Sequence, residues 1–210
     1  MLLNTPVPKG TDGEDVYVWN CGSSTRYSFS TSQTWDTLRS LAPPVNWYNA
    51  VWFKGHIPKH AFLFWIAQLD RMPVMARLAR WGIVASSSCT LCSLFTETRD
   101  HLLLHSDFSK LVWDKIFVKL GYTNPPFHDW GSMCTWLLTP ANEEVTVIRK
   151  LATQATTYLL WRERNARIHS GISSTPEGVF KTIDRSIRDN LLAKCRRIPS
   201  TLLSRWFTYS

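Results

Sequence analysis

Glycine is scarce and scattered: 9 residues in 210, never gathered into a loop of the kind that cradles a phosphate. Long apolar runs are missing too. The longest, Ala61 to Ala67, is far short of the roughly 20 residues that a membrane-spanning helix requires. Met1 to Gly10 holds no continuous apolar stretch, so no secretory leader is expected. Acidic residues number 16 against 24 lysines and arginines, and they nowhere cluster like the carboxylates of a two-metal nuclease. No nucleophile-elbow motif surrounds any serine. No internal repeat or long low-complexity tract is visible. These absences point away from a free-standing enzyme and away from a membrane partner.

What is there suits a packed core. Hydrophobic residues make up 44% of the chain and charged residues 19%, a balance that excludes wholesale disorder. The 11 tryptophans and 10 phenylalanines predict an aromatic-rich interior. The net charge of +8 is uneven: residues 1–142 carry +2 and residues 143–210 carry +6. A field of that sign attracts polyanions such as nucleic acid, although a plain solvated basic surface has the same composition.

Periodicity predicts a mostly α protein, a helical bundle with a small N-terminal β-hairpin and a knuckle-like Cys/His insertion. Val16 to Trp19 and Arg26 to Phe29 are β-prone runs around a turn at Cys21 to Ser24. Ser30 followed by Gln33 signals a helix start with Trp35, Leu38 and Leu41 on one face, stopped by Pro43 and Pro44. Pro58 opens a helix to Leu69 that is apolar nearly all round and so is expected to be buried. Further helices are expected from Pro73 to Trp81, along a Phe108, Leu111, Val112, Ile116 and Leu120 stripe, and from Phe127 to Leu138. Two long ones close the chain. The first spans Glu143 to His169, with an acidic start and basic end that suit the helix dipole. The second begins at Thr175 and Pro176, with Phe180, Ile183, Ile187 and Leu191 inward and Lys181, Arg185 and Arg188 as a separate basic stripe. The aromatic tail Trp206 to Tyr209 is expected to pack back on the body. His56, His60 and His128 are read as structural or exposed.

The five cysteines are odd in number and irregularly spaced, and in an intracellular, reducing setting (nucleus or cytoplasm) a close pair binds metal or does redox work. Cys89 and Cys92 form that pair; His101 follows after eight residues and His105 after three more. Zinc takes four ligands in a tetrahedron, drawn from thiolate and imidazole. Two cysteines in one tight turn can converge on a metal, and His101 and His105, at i and i+4 of a helix, can supply the other corners. With four protein ligands such a site is structural. A chance Cys-x-x-Cys beside buried histidines is the alternative. A redox role is the weaker reading, because no βαβ pattern surrounds the pair.

The segment also resembles a known family. Trp52, Lys54, Pro58, Lys59, His60, Phe62, Leu78, Trp81, Gly82, Cys89, Cys92, Glu97, Asp100, His101, Leu102, Phe108, Ser109 and Trp113 follow, in order, the pattern of the zinc-binding domain attached to plant LINE-type (non-LTR) retrotransposon reverse transcriptases. The flanks Tyr27 to Ser30 and Trp161 to Arg167 look similar to chains of that type. The resemblance implies a zinc-binding domain over 30–122, between a lead-in and hairpin (1–29) and a basic C-terminal helical region (123–210). It implies Zn2+ as the cofactor, RNA or DNA as partner, and a reverse transcriptase polymerase domain as a second partner. The polymerase is not here: no Tyr/Phe-x-Asp-Asp motif occurs. Candidate phosphate contacts are Lys54, Lys59, Arg77, Arg80, Lys181, Arg185 and Arg188, each of which also reads as a solvated helix face. One departure stands out. The family's fourth ligand is a cysteine where this chain has Ser106. His105 is one residue earlier, about 100° away on an α-helix. A Cys/Cys/His/His site, a three-ligand site and a lost site held by packing all stay open.

Overall fold

The computed structural model describes residues 16–21, 24–39, 43, 45–193 and 206. The chain divides into two compact units, 1–45 and 46–210. In the first, β1 (Trp19–Cys21) pairs antiparallel with β2 (Ser24–Arg26), in the register Trp19 to Arg26. The pairing sits further inward than the apolar runs had indicated, and Thr25 donates to Asn20 across it at 3.0 Å. Trp19 meets Phe29 edge to face, at 4.7 Å between ring centres. Ser30 then caps α1 (Thr31–Leu38), its hydroxyl accepting from the Gln33 N–H. Trp35 and Leu38 are exposed. Leu41 and Pro44 lie outside the described residues, as do Gly22 and Ser23 of the expected turn.

The second unit is helical. It comprises α2 (Tyr48–Val51), α3 (Pro58–Gln68), α4 (Met75–Arg80), a π-helical turn (His101–His105), α5 (Asp107–Lys119), α6 (Trp130–Leu138), α7 (Glu143–Ser170) and α8 (Pro176–Ala193). The longest, α7, is built as its ends predict. Asn142 caps it by accepting from the N–H groups of Glu144 and Val145, and Gly171 ends it in the left-handed conformation, with φ of 64°. This helix packs against α3, α5, α6 and α8. Its Gln154 amide is buried and donates to the carbonyls of Ala50 and Val51, both at 2.9 Å, which ties down the end of α2.

The stripe of α8 is as expected at its centre: Val179, Ile183, Ile187 and Leu191, four apart, are all buried. Each contributes about 1.5–3 kcal/mol of burial, so truncating Ile187 to alanine would cost about 2–5 kcal/mol. Trp206 is also buried, and its indole donates to Asp184 on α8 at 2.9 Å. The rest of the aromatic tail, Phe207 to Tyr209, lies outside the described residues.

Two expected faces turn out otherwise. In α3, Phe62 is 56% exposed while Ala61, Phe64 and Ala67 are buried. In α5, Leu111 is 53% exposed, and Trp113 and Phe117 take the buried side. In α5 the reason is a ring cluster. Trp113, Phe117, Phe127 and Trp136 meet at 5.2–5.5 Å, and the Trp113 indole donates to the Leu103 carbonyl at 2.8 Å. Large aromatic area and a satisfied N–H draw that face inward more strongly than one leucine could draw the other.

Candidate metal centre

Residues 88–97 form a small loop closed at its base. Ser88 bridges Thr96, the Cys89 N–H donates to the Phe95 carbonyl at 2.7 Å, and the Glu97 N–H donates to Ser87 at 2.8 Å. Within it, the Ser93 N–H returns to the Cys89 carbonyl at 2.7 Å. The turn is tight enough to hold Ser93 in the left-handed region, φ 60°. Both sulfurs are thereby presented on one side.

His101 meets them from the start of the π turn. Its Nε2 lies 3.2 Å from the Cys92 Sγ, and the ligand atoms of Cys89, Cys92 and His101 all stand within 4.8 Å of one another. In a tetrahedral zinc site with metal–donor bonds of about 2.0–2.3 Å, donor atoms are about 3.5–3.8 Å apart. The three side chains therefore fit the metal that the thiolate and imidazole chemistry calls for. Burial pushes the Cys89 thiol up to about 11; the backbone N–H groups of Leu91 and Cys92 pull it down, and the neighbouring Cys92 sulfur adds to the rise. Burial, with the nearby His105 and Lys110, lowers the His101 pKa and so favours the uncharged ring that ligates. Metal uptake would release thiol protons.

His105 is not brought into this group. The turn is π rather than α: the Ser106 N–H donates to the His101 carbonyl at 2.7 Å, one residue wider than an α-turn. Leu102, Leu103 and Leu104 are all buried. Sinking three successive side chains in one core leaves the histidines at its two edges, His101 half-buried against the sulfurs and His105 exposed. Ser106 is fully buried, but its hydroxyl is committed to capping α5: it accepts from the Ser109 N–H at 3.2 Å and donates to the Ser109 hydroxyl at 2.8 Å.

The residue beneath the loop is Glu97, completely buried. One carboxylate oxygen accepts from the Met75 N–H at the start of α4 and from Arg164 on α7, at 2.9 Å each; the other accepts from the Thr90 N–H at 3.0 Å. The Arg164 guanidinium, 4% exposed, also donates to the Pro73 carbonyl. A buried carboxylate is tolerable only with such partners. Sequence reasoning named Glu97 and the Trp161–Arg167 stretch as family features but gave neither a task. The available signal was a carboxylate five residues after Cys92, closer to the pair than any other acidic residue.

The basic candidates divide. Lys54, Lys59, Arg80, Lys181 and Arg185 are exposed, with Lys59 over the Tyr158 ring and Arg185 3.8 Å from Asp189. Arg77 and Arg188 are half-buried and engaged internally. Arg77 donates to the Met72 carbonyl at 2.8 Å and pairs with Asp70; Arg188 pairs with Asp184 at 2.6 Å.

Residues 29–113 match the family model described as zinc-binding in reverse transcriptase. The match holds all three donors and Glu97, and ends at Trp113 within α5. No curated protein and no solved structure matches the chain. The matched segment holds α1 to α4, the metal loop, the π turn and the first half of α5, while α6, α7 and α8 lie beyond it. Among the described residues no helix is long and apolar enough to cross a membrane.

Proposed function

We propose that this chain is a non-catalytic zinc-binding module that holds nucleic acid, of the kind carried by LINE-type reverse transcriptases of plants, and that it works in the nucleus or cytoplasm. The observation that carries the reading is the convergence of Cys89, Cys92 and His101 inside a segment matched by the zinc-binding family. Zinc bound there would act as a structural cross-link between the loop and the π turn. The fourth position is taken by His105 after a side-chain swing, or by solvent. Nucleic acid would bind through phosphate contacts from Lys54, Lys59, Arg80, Lys181 and Arg185, with Arg77 and Arg188 shaping the surface rather than reaching the phosphates.

Metal analysis of the purified chain, of His101→Ala and of His105→Ala tests the metal. About one zinc per chain, lost with His101→Ala, is expected; a wild-type chain without zinc rejects the reading. RNA and DNA affinity measured against salt tests the partner. Affinity should fall steeply with salt, by a slope of about 0.7–0.9 per phosphate contact, and no measurable binding rejects that half. Exposed Phe62, Trp81, Ile83, Leu94 and Phe95 favour a second reading, in which the module braces a polymerase domain. Self-association of the isolated chain without nucleic-acid affinity would select it.

A further inference from the structure

The metal loop is gripped from a helix outside the matched segment. Arg167 on α7 donates from one guanidinium nitrogen to the carbonyl of Leu91, at 3.2 Å, and approaches that of Thr90, at 3.5 Å. These are the two residues between Cys89 and Cys92. The guanidinium is itself held on three sides. Its Nε donates to Glu163 at 2.8 Å, a second terminal nitrogen reaches the Ser174 carbonyl at 3.4 Å, and its plane lies over the Phe108 ring at 4.6 Å. Glu163 is buried and is fixed in turn by the Ser174 N–H at 2.9 Å. One turn back, Arg164 holds Glu97, which accepts from the Thr90 N–H. The peptide units between the two cysteines are therefore held on their carbonyl side by Arg167 and on the Thr90 N–H side by Glu97.

We propose that Arg167, and Arg164 through Glu97, are positioning residues of the metal centre: α7 holds the Cys89–Cys92 backbone in the shape that aims both sulfurs at one point. Free carbonyls in so short a loop would otherwise turn toward water, and the loop would pay an ordering cost on binding metal. A rigid guanidinium fork suits this task, since it spans several acceptors in fixed geometry. Metal binding and the seating of the end of α7 are then linked, each favouring the other. The inference rests on the metal reading above.

The test uses the full chain. Arg167→Met keeps a stem over Phe108 and removes every donor; Arg167→Lys restores one charged donor; Leu191→Ala weakens the α8 core without touching the loop. Zinc affinity is measured by competition with a chromophoric chelator, and the ligand geometry by the absorption bands of the cobalt-substituted chain. Arg167→Met should bind zinc about 10- to 100-fold more weakly, the range found for outer-shell partners of metal ligands, with altered cobalt bands. Arg167→Lys should recover part of the affinity, and Leu191→Ala should lower the melting temperature with affinity unchanged. In the wild type, zinc should also slow amide hydrogen exchange at the end of α7. A folded Arg167→Met with wild-type affinity overturns the proposal, as does equal weakening by Leu191→Ala. If Arg167→Met does not fold, the exchange experiment decides: protection confined to the loop overturns it. A wild-type chain that binds no zinc overturns both readings, whereas zinc binding indifferent to Arg167 overturns only this one.

Discussion

Arg164 and Arg167 on α7 and Lys181 and Arg185 on α8 belong to the same basic third of the chain, and by charge nothing separates them. The fold sends them to opposite fates. The α7 pair turns inward, Arg164 onto buried Glu97 and Arg167 onto the loop carbonyls. The α8 pair faces water, with Arg185 85% exposed. The lesson is that a count of positive charge overstates the field available to a polyanion. Part of the charge on α7 balances a buried carboxylate and orders a metal loop; part of that on α8, at Arg188, is spent on Asp184.

Arg164→Met leaves Glu97 buried without its counter-charge and should cost about 3–5 kcal/mol in a urea unfolding curve. A cost no larger than that of Lys181→Ala would erase the distinction between the two helices. Next in size is an acid effect at His60, which is buried against Tyr158. Burial, with Lys59 beside it, lowers the His60 pKa from 6.5 to about 4. The unfolded chain takes up the proton first, so stability is complete above about pH 6.5 and declines as pH falls toward 4. The loss is of order 3 kcal/mol. His60→Leu should flatten that limb of the stability–pH curve, and an unchanged limb would assign the acid sensitivity elsewhere. The smallest stability effect is expected on α8. Lys181→Ala and Arg185→Ala should each change stability by no more than about 0.5 kcal/mol. As phosphate contacts, each should lower the salt slope of RNA binding by about 0.7–0.9. Equal loss of affinity at all salt concentrations would place these residues away from the phosphates.

Much of the helical plan was legible because its signals are local. Ser30 caps α1, Pro58 starts α3, an acidic first turn and a basic last turn mark the ends of the long α7, and the four-residue spacing of Ile183, Ile187 and Leu191 marks the buried face of α8. Faces were less legible where two apolar sets compete. Leu111 lost to Trp113 because the winner depends on rings brought from α6 and the loop before it. The π turn was hidden for a related reason: burial of Leu102, Leu103 and Leu104 together is a property of the surrounding core, not of the five residues in the turn.

The order of residues alone determined the metal-ligand types, the tight Cys89–Cys92 spacing, the ends of α3 and α7 and the positive balance, since each depends on side-chain chemistry or on neighbours a few positions apart. Only the tertiary structure decided that His101 rather than His105 meets the sulfurs, that Ser106 is consumed as a cap, and that two arginines of α7 serve the loop. Those choices depend on which buried polar groups find partners. A carboxylate and its guanidinium 67 positions apart can be matched only after the core has brought them together.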